Sequence, residues 1–231
     1  MGIFRITHNN FETSFKIDNI DTTDSTEWKD FERLNEPGWD DRYDHECEII
    51  SKILLEHNYK NILEIGSGPG ILSQKIQHII PYINYDLIDK QYANDYFVKN
   101  QLKGSFYIKD ISVDLDITDL KPTYDFIICN DVLEHVLCPS NIIQKIYKLL
   151  TPTGRLFISI PNWRMAHQMI YRGLFDYDNF LYFMYIHKFV STNVYPSNLQ
   201  TPYYPKLDSE KSMPDELLMS WNFYFNFKNI S

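Results

Sequence analysis

Two rhythms of apolar residues alternate along the middle of the chain. Short, nearly unbroken apolar runs at Asn61–Ile65, Ile83–Ile88, Ser105–Ile108, Asp125–Cys129 and Arg155–Ile160 read as buried strands. Between them lie stretches with helical spacing. Tyr43–His57 carries Ile49, Ile50, Ile53 and Leu54 on one face. Ile71–Ile80, Tyr92–Leu102 and Asn141–Leu150 follow, with Gly104 placed to end the third helix and a Thr-Pro-Thr-Gly turn after the fourth. Strand–helix units of this length predict a parallel sheet with helices on both faces. Ligands of such sheets bind at the carboxyl ends of the strands, near the point where strand order reverses.

The pattern weakens at both ends. Residues 1 to about 40 are polar, are expected to be irregular, and include an acidic stretch from Asp18 to Asp30. Beyond Pro161, Trp163–Tyr171 is expected to be helical, and Phe175–Val190 is so crowded with aromatics that neither period dominates. Asn198–Pro214 reads as a loop and Trp221–Phe227 alternates like a half-buried strand. A chain of 231 residues suits one α/β domain. The expected organisation is an extension or cap over residues 1–42 and one domain over 43–231, split into a ligand half, 43–162, and an acceptor-side region, 163–231.

The first strand runs into Leu63-Glu64-Ile65-Gly66-Ser67-Gly68-Pro69-Gly70 and then into a helix. A strand, a glycine turn and a helix make a nucleotide-binding corner. Glycine permits the tight turn and close ligand approach, and the helix start offers free N–H groups. A dinucleotide fingerprint places its third glycine one residue later, where Ile71 stands, and Pro69 removes a donor that a pyrophosphate would use. The pattern resembles instead the first motif of the class I S-adenosylmethionine-dependent methyltransferases. A second stretch, Tyr124 to Val136, contains Asn130-Asp131-Val132-Leu133-Glu134-His135-Val136. It resembles the fourth-strand motif of the branch that includes the ubiquinone-biosynthesis O-methyltransferases and other small-molecule methyltransferases. Gly154–Asn162 is similar to that branch's fifth strand, so the resemblance covers roughly Tyr43–Asn162.

The resemblance implies a Rossmann-like fold with a mostly parallel, seven-stranded sheet. It also implies S-adenosylmethionine as cofactor, held by Gly66, Ser67, Gly68 and Gly70. Asp89, beside Lys90, ends the second strand, where a carboxylate can accept both hydroxyls of a ribose. A surface aspartate capping the next helix is the alternative. Asp110 would accept from the adenine amino group, with the Ile111 N–H on a ring nitrogen, or else Asp110 is only an N-cap. Asn130 and Asp131 would lie beside the methionyl end and the transferred methyl. Glu64 would orient the glycine loop and reach toward the cofactor amine. Arg42 or Tyr43 could reach the cofactor carboxylate, Arg42 by a bidentate contact. The candidate catalytic residues are His135, as general base or else as a structural pin for the turn, and Asp131.

Charge and composition narrow the function. With 22 basic and 31 acidic residues the net charge is −9 and no basic run occurs, which argues against nucleic acid. The histidines and three cysteines show no metal spacing, and the scattered cysteines fit a reducing, cytoplasmic setting. No apolar run is long enough to span a bilayer. The expected function is methyl transfer to an oxygen or nitrogen of a small molecule: a sugar, a lipid-linked metabolite or a quinone-like one. A non-catalytic S-adenosylmethionine-binding regulatory protein and a protein or RNA methyltransferase are the alternatives. An NAD(P)-dependent oxidoreductase is disfavoured by the glycine spacing.

Overall fold

The computed structural model describes residues 3–8, 11–16, 39–90, 93, 102–112, 114–161, 171, 174, 176–197 and 220–227. A hairpin of β1 (Ile3–His8) and β2 (Phe11–Lys16) stands apart from the main sheet. Then come α1 (Trp39–His57), β3 (Asn61–Ile65), α2 (Ile71–Ile79), β4 (Asn84–Asp89) and β5 (Ser105–Ile108). After β6 (Tyr124–Asn130) a single 3-10 turn, Leu133–His135, leads to α3 (Pro139–Leu149). The chain continues through β7 (Leu150–Pro161), α4 (Tyr177–Ile186), β8 (Phe189–Ser197) and β9 (Ser220–Phe227).

The main sheet has seven strands in the order β5-β4-β3-β6-β7-β9-β8. The pairs from β5 to β7 are parallel, and β9 is antiparallel to both of its neighbours. The chain steps outward from β3 to β4 and β5, then returns to β6 on the other side of β3. The order therefore reverses between β3 and β6, and a crevice opens at their carboxyl ends.

Alternation along the central strands sorts their side chains onto two faces. Ile62, Tyr85, Leu87, Phe126, Ile128 and Phe157 pack with Ile50, Leu54 of α1 and Leu72, Ile76 of α2. Leu63, Ile65, Ile127, Cys129, Leu156 and Ile158 pack with Ile142, Ile143, Ile146 of α3 and Phe180, Met184 of α4. The central strands are buried on both faces, which explains their continuous apolar runs in the sequence.

Several boundaries differ from expectation. The N-terminal region is not wholly irregular, because β1 and β2 pair from Ile3↔Lys16 to His8↔Phe11. Helix α1 starts at Trp39, inside the expected extension. The Thr-Pro-Thr-Gly segment is an irregularity within β7 rather than a free turn. Tyr124 faces Leu150 and Phe126 already faces Arg155, so the intervening residues bulge out. Arg155 Nη1 donates to the carbonyls of Thr153 and Gly154 at 2.7 and 3.0 Å and holds the bulge. The expected helix at Trp163–Tyr171 apart from Tyr171, nearly all of that at Tyr92–Leu102, and the loop at Asn198–Pro214 fall outside the described residues.

Candidate active site

The glycine turn is fastened to the neighbouring strand. The N–H groups of Gly66 and Ser67 donate to the Ile88 carbonyl at 2.9 and 3.2 Å, and Gly68 N–H donates to Asp89 Oδ2 at 2.6 Å. All three glycines have positive φ, 71°, 52° and 79°. That conformation favours glycine at each position. A Cβ at Gly66 would collide with Val132, so this glycine is what lets the turn after β6 close on the turn after β3. Gly70 serves the helix: its carbonyl accepts from Ser73 Oγ at 2.8 Å and from Gln74 N–H at 3.0 Å.

An open cleft lies at the crevice. Gly66 and Gly68 line one side, Asp89 and Lys90 a second, Ile111 and Ser112 a third, and the segment from Asn130 to Val136 the fourth. Eight of the residues expected from sequence thus meet in one place: Gly66, Gly68, Asp89, Lys90, Ile111, Asn130, Asp131 and His135. The backbone bond from Leu137 N–H to the Ser112 carbonyl, 2.6 Å, joins the segments after β5 and β6 beside the cleft.

The other expected residues flank it without lining it. Asp110 is exposed, and its Oδ1 accepts both the N–H and the hydroxyl of Ser112, at 2.9 and 2.6 Å. Those bonds hold its carboxyl below the usual range. The Ser67 hydroxyl oxygen is buried and meets no hydrogen-bond partner among the described residues. Tyr43 packs at the edge of the α1–α2 face, and burial drives its hydroxyl well above the usual value.

Glu64 lies beneath the glycine turn, where its Oε2 accepts from the Tyr85 hydroxyl at 2.8 Å. Burial pushes the Glu64 carboxyl up to about 8; the Tyr85 bond opposes this, and the charges of Glu46 and Asp89 add to it. Folded Glu64 keeps a proton that the unfolded chain gives up near 4.5. Its contribution therefore makes stability fall as pH rises from that value toward about 8. Urea unfolding across pH ~5 to ~8 is expected to show a shallower decline for Glu64→Gln than for the native chain. Equal slopes would mean that Glu64 titrates normally.

Arg42 does not point a free guanidinium at the cleft. It is clamped between Glu46, whose Oε1 accepts from Nε at 3.0 Å, and Asp131, whose Oδ2 accepts from Nη2. The Ser159 hydroxyl donates to Asp131 Oδ1 at 2.9 Å, and Asp131 N–H donates to the Ser159 carbonyl at 3.1 Å. These contacts accompany a φ of 49° at Asp131, a left-handed conformation uncommon for non-glycine residues and most accessible to Asn and Asp among them. Both carboxylate oxygens of Asp131 are engaged, Oδ2 by Arg42 and Oδ1 by Ser159, while Asp131 also lines the cleft. His135 sits on the 3-10 turn and lines the cleft, with Nε2 3.8 Å from Oε1 of buried Glu134.

Sequence reasoning missed Glu46 and Ser159. Glu46 follows Arg42 by one helical turn and shares a face with Ile50 and Ile53, an acid in an apolar stripe. Ser159 is the one polar side chain in the run Leu156–Ile160. Each is fully buried.

The strand order, with the glycine turn, Asp89 and Asp131 at one cleft, is the class I methyltransferase architecture. Residues 39–189 match the family described as methyltransferase domain, so the chain belongs to that family, and the class resemblance drawn from its motifs holds. A ubiquinone biosynthesis O-methyltransferase from Glaesserella parasuis is 30% identical over 159 residues, 62% of this chain and 66% of that protein. One from Coxiella burnetii is 29% identical over 106 residues, 45% of this chain. The chain spans less than half of that relative's length, 44%. Among solved structures, the N-methyltransferase NodS from Bradyrhizobium japonicum, in complex with S-adenosyl-L-homocysteine, superposes with a TM-score of 0.61. It is 16% identical and aligns over 89% of this chain and 94% of its own, a likeness of fold. No described helix is long and apolar enough to cross a membrane.

Proposed function

We propose that this protein transfers a methyl group from S-adenosylmethionine to an oxygen or nitrogen of a small-molecule acceptor. The observation that carries the reading is the convergence of the glycine turn, Asp89, Ile111 and Asn130 on one cleft at the β3–β6 switch point. The residues suit the cofactor. Asp89 is an acceptor-only group at the cleft wall, and two nearby oxygens, Ser67 Oγ and Asn130 Oδ1, are buried without a hydrogen-bond partner among the described residues. Buried polar atoms are normally paired, so a ligand that brings donors recovers their cost.

Asp89 holds the ribose hydroxyls, with Lys90 at its rim. The Ile111 N–H and the Oδ2 of Asp110, the oxygen not taken by Ser112, hold the adenine. Gly66, Gly68 and Asn130 take the methionyl end, with Glu64 and Gly70 fixing the turn from below. Arg42 and Tyr43 act from α1 behind the β6 end. Bound S-adenosylmethionine supplies an electrophilic methyl on a positively charged sulfur. The chain's task is to align the acceptor, exclude water and remove a proton. His135 is the imidazole at the cleft and takes that proton. The curated relatives, named for ubiquinone biosynthesis, make a quinone-like phenol the first acceptor to test. The buried free thiols of Cys47 and Cys129 support a reducing, cytoplasmic setting.

Calorimetric titration with S-adenosylmethionine and S-adenosylhomocysteine, with NAD as control, tests the cofactor. Binding of the first two alone is expected, and binding of NAD alone would overturn the reading. In a turnover assay with phenolic acceptors, His135→Ala is expected to lower kcat about 100-fold or more while S-adenosylhomocysteine affinity holds. Undiminished kcat would leave His135 a structural pin.

A further inference from the structure

Behind the cleft, α1 presents a fully buried acid to the end of β6. Both oxygens of Glu46 accept: Oε1 from Arg42 Nε and Oε2 from Asn130 Nδ2, each at 3.0 Å. Burial raises the Glu46 carboxyl above its usual value and the Asp131 charge adds to this, while the Arg42 charge and the two hydrogen bonds favour the ionised form. The two ends of an amide are alike in shape and opposite in polarity. By accepting from Nδ2, Glu46 decides which end faces α1. The other end, Oδ1, is buried and meets no donor among the described residues, although Asn130 lines the cleft.

We propose that Glu46 is a positioning residue that sets the polarity of the methionyl subsite, turning the Asn130 amide so that an acceptor meets the ligand's amine. The inference rests on the cofactor reading above. Orientation follows from counting. A carboxylate offers acceptors on both oxygens, and here both receive donors. A glutamine offers one oxygen and one NH2 group. In Glu46→Gln, keeping the Arg42 bond on the oxygen puts a donor against Asn130 Nδ2, and the amide must flip. The flip places Nδ2, a donor, where the ligand's ammonium would come. Adding Asn130→Asp removes the conflict, because both oxygens of an aspartate accept. The double exchange also restores the net charge of the corner.

The test is calorimetric titration of the full chain with S-adenosylhomocysteine and with 5′-methylthioadenosine, which keeps the nucleoside and lacks the amino-acid end. Glu46→Gln is expected to weaken S-adenosylhomocysteine about 10- to 100-fold and to leave 5′-methylthioadenosine unchanged. Glu46→Gln with Asn130→Asp is expected to regain most of the loss. Equal weakening of both ligands, no weakening, or no recovery in the double variant overturns the positioning role. If Glu46→Gln does not fold, Asn130→Leu carries the comparison: it too must spare 5′-methylthioadenosine and weaken S-adenosylhomocysteine, and any other result overturns the role. A native chain that binds neither ligand fails at the cofactor reading instead.

Discussion

Gly104→Ala is expected to lower the unfolding free energy by about 3 kcal/mol or more, read by urea denaturation. Gly104 enters β5 with φ 130°, where L side chains are strained. A Cβ there would run into the carbonyl oxygen of Tyr85. That obstacle cannot swing aside like a side-chain tip, because it is backbone within β4, and the next residue, Asp86, pairs with Ser105. Strain at the new residue and displacement of a central strand therefore add. The damage would spread, since the Tyr85 side chain is the hydroxyl partner of Glu64 under the glycine turn. Native stability in this variant would mean that β5 does not pass so close to β4.

Asp89→Ala is expected to weaken S-adenosylhomocysteine about 100-fold, near 3 kcal/mol, by calorimetry. Two losses combine. The ribose loses a charged acceptor at the cleft wall, and Gly68 N–H loses the Oδ2 that holds the glycine turn against β4. Oδ1 also takes the Lys90 N–H at 2.7 Å, so the carboxylate organises the strand end on both sides. Asp89→Asn keeps one carbonyl acceptor for these N–H groups and should fall between the two. Unchanged affinity in Asp89→Ala would remove the residue from the binding site.

The central sheet was legible because its strands are buried on both faces and its turns are chemically marked. Asn61–Ile65 and Trp221–Phe227 were placed to within a residue of β3 and β9. Glycines at positive φ and acids at strand ends announced the cleft, because tight turns and hydroxyl binding admit few residue types. The aromatic stretch after Phe175 resisted reading for a physical reason. In α4, Phe180, Phe183 and Met184 are buried while Tyr182, Tyr185 and Ile186 are exposed. Apolar side chains on both faces erase the helical period. The β1–β2 hairpin joins its strands through Asn9-Asn10, which lacks the glycine of the commonest hairpin turns. Glu46 stands in an apolar stripe, but its role was hidden because its partner Asn130 lies 84 positions along the chain, on β6. The Arg42–Asp131 pair was hidden for the same reason, since its two members stand 89 positions apart.

The placement of β9 between β7 and β8 has a consequence for biosynthesis. β8 is made before β9 yet, among the described residues, pairs into the sheet only through it. A nascent chain that has completed α4 and β8 therefore carries two unsatisfied strand edges, on β7 and on β8, until Ser220–Phe227 emerges and zips into the gap. During that interval β3 to β7 can be assembled while the outer sheet waits open. Ribosome stalling before Ser220 would be the moment of greatest risk for edge-to-edge aggregation, and the moment at which a chaperone has most to protect.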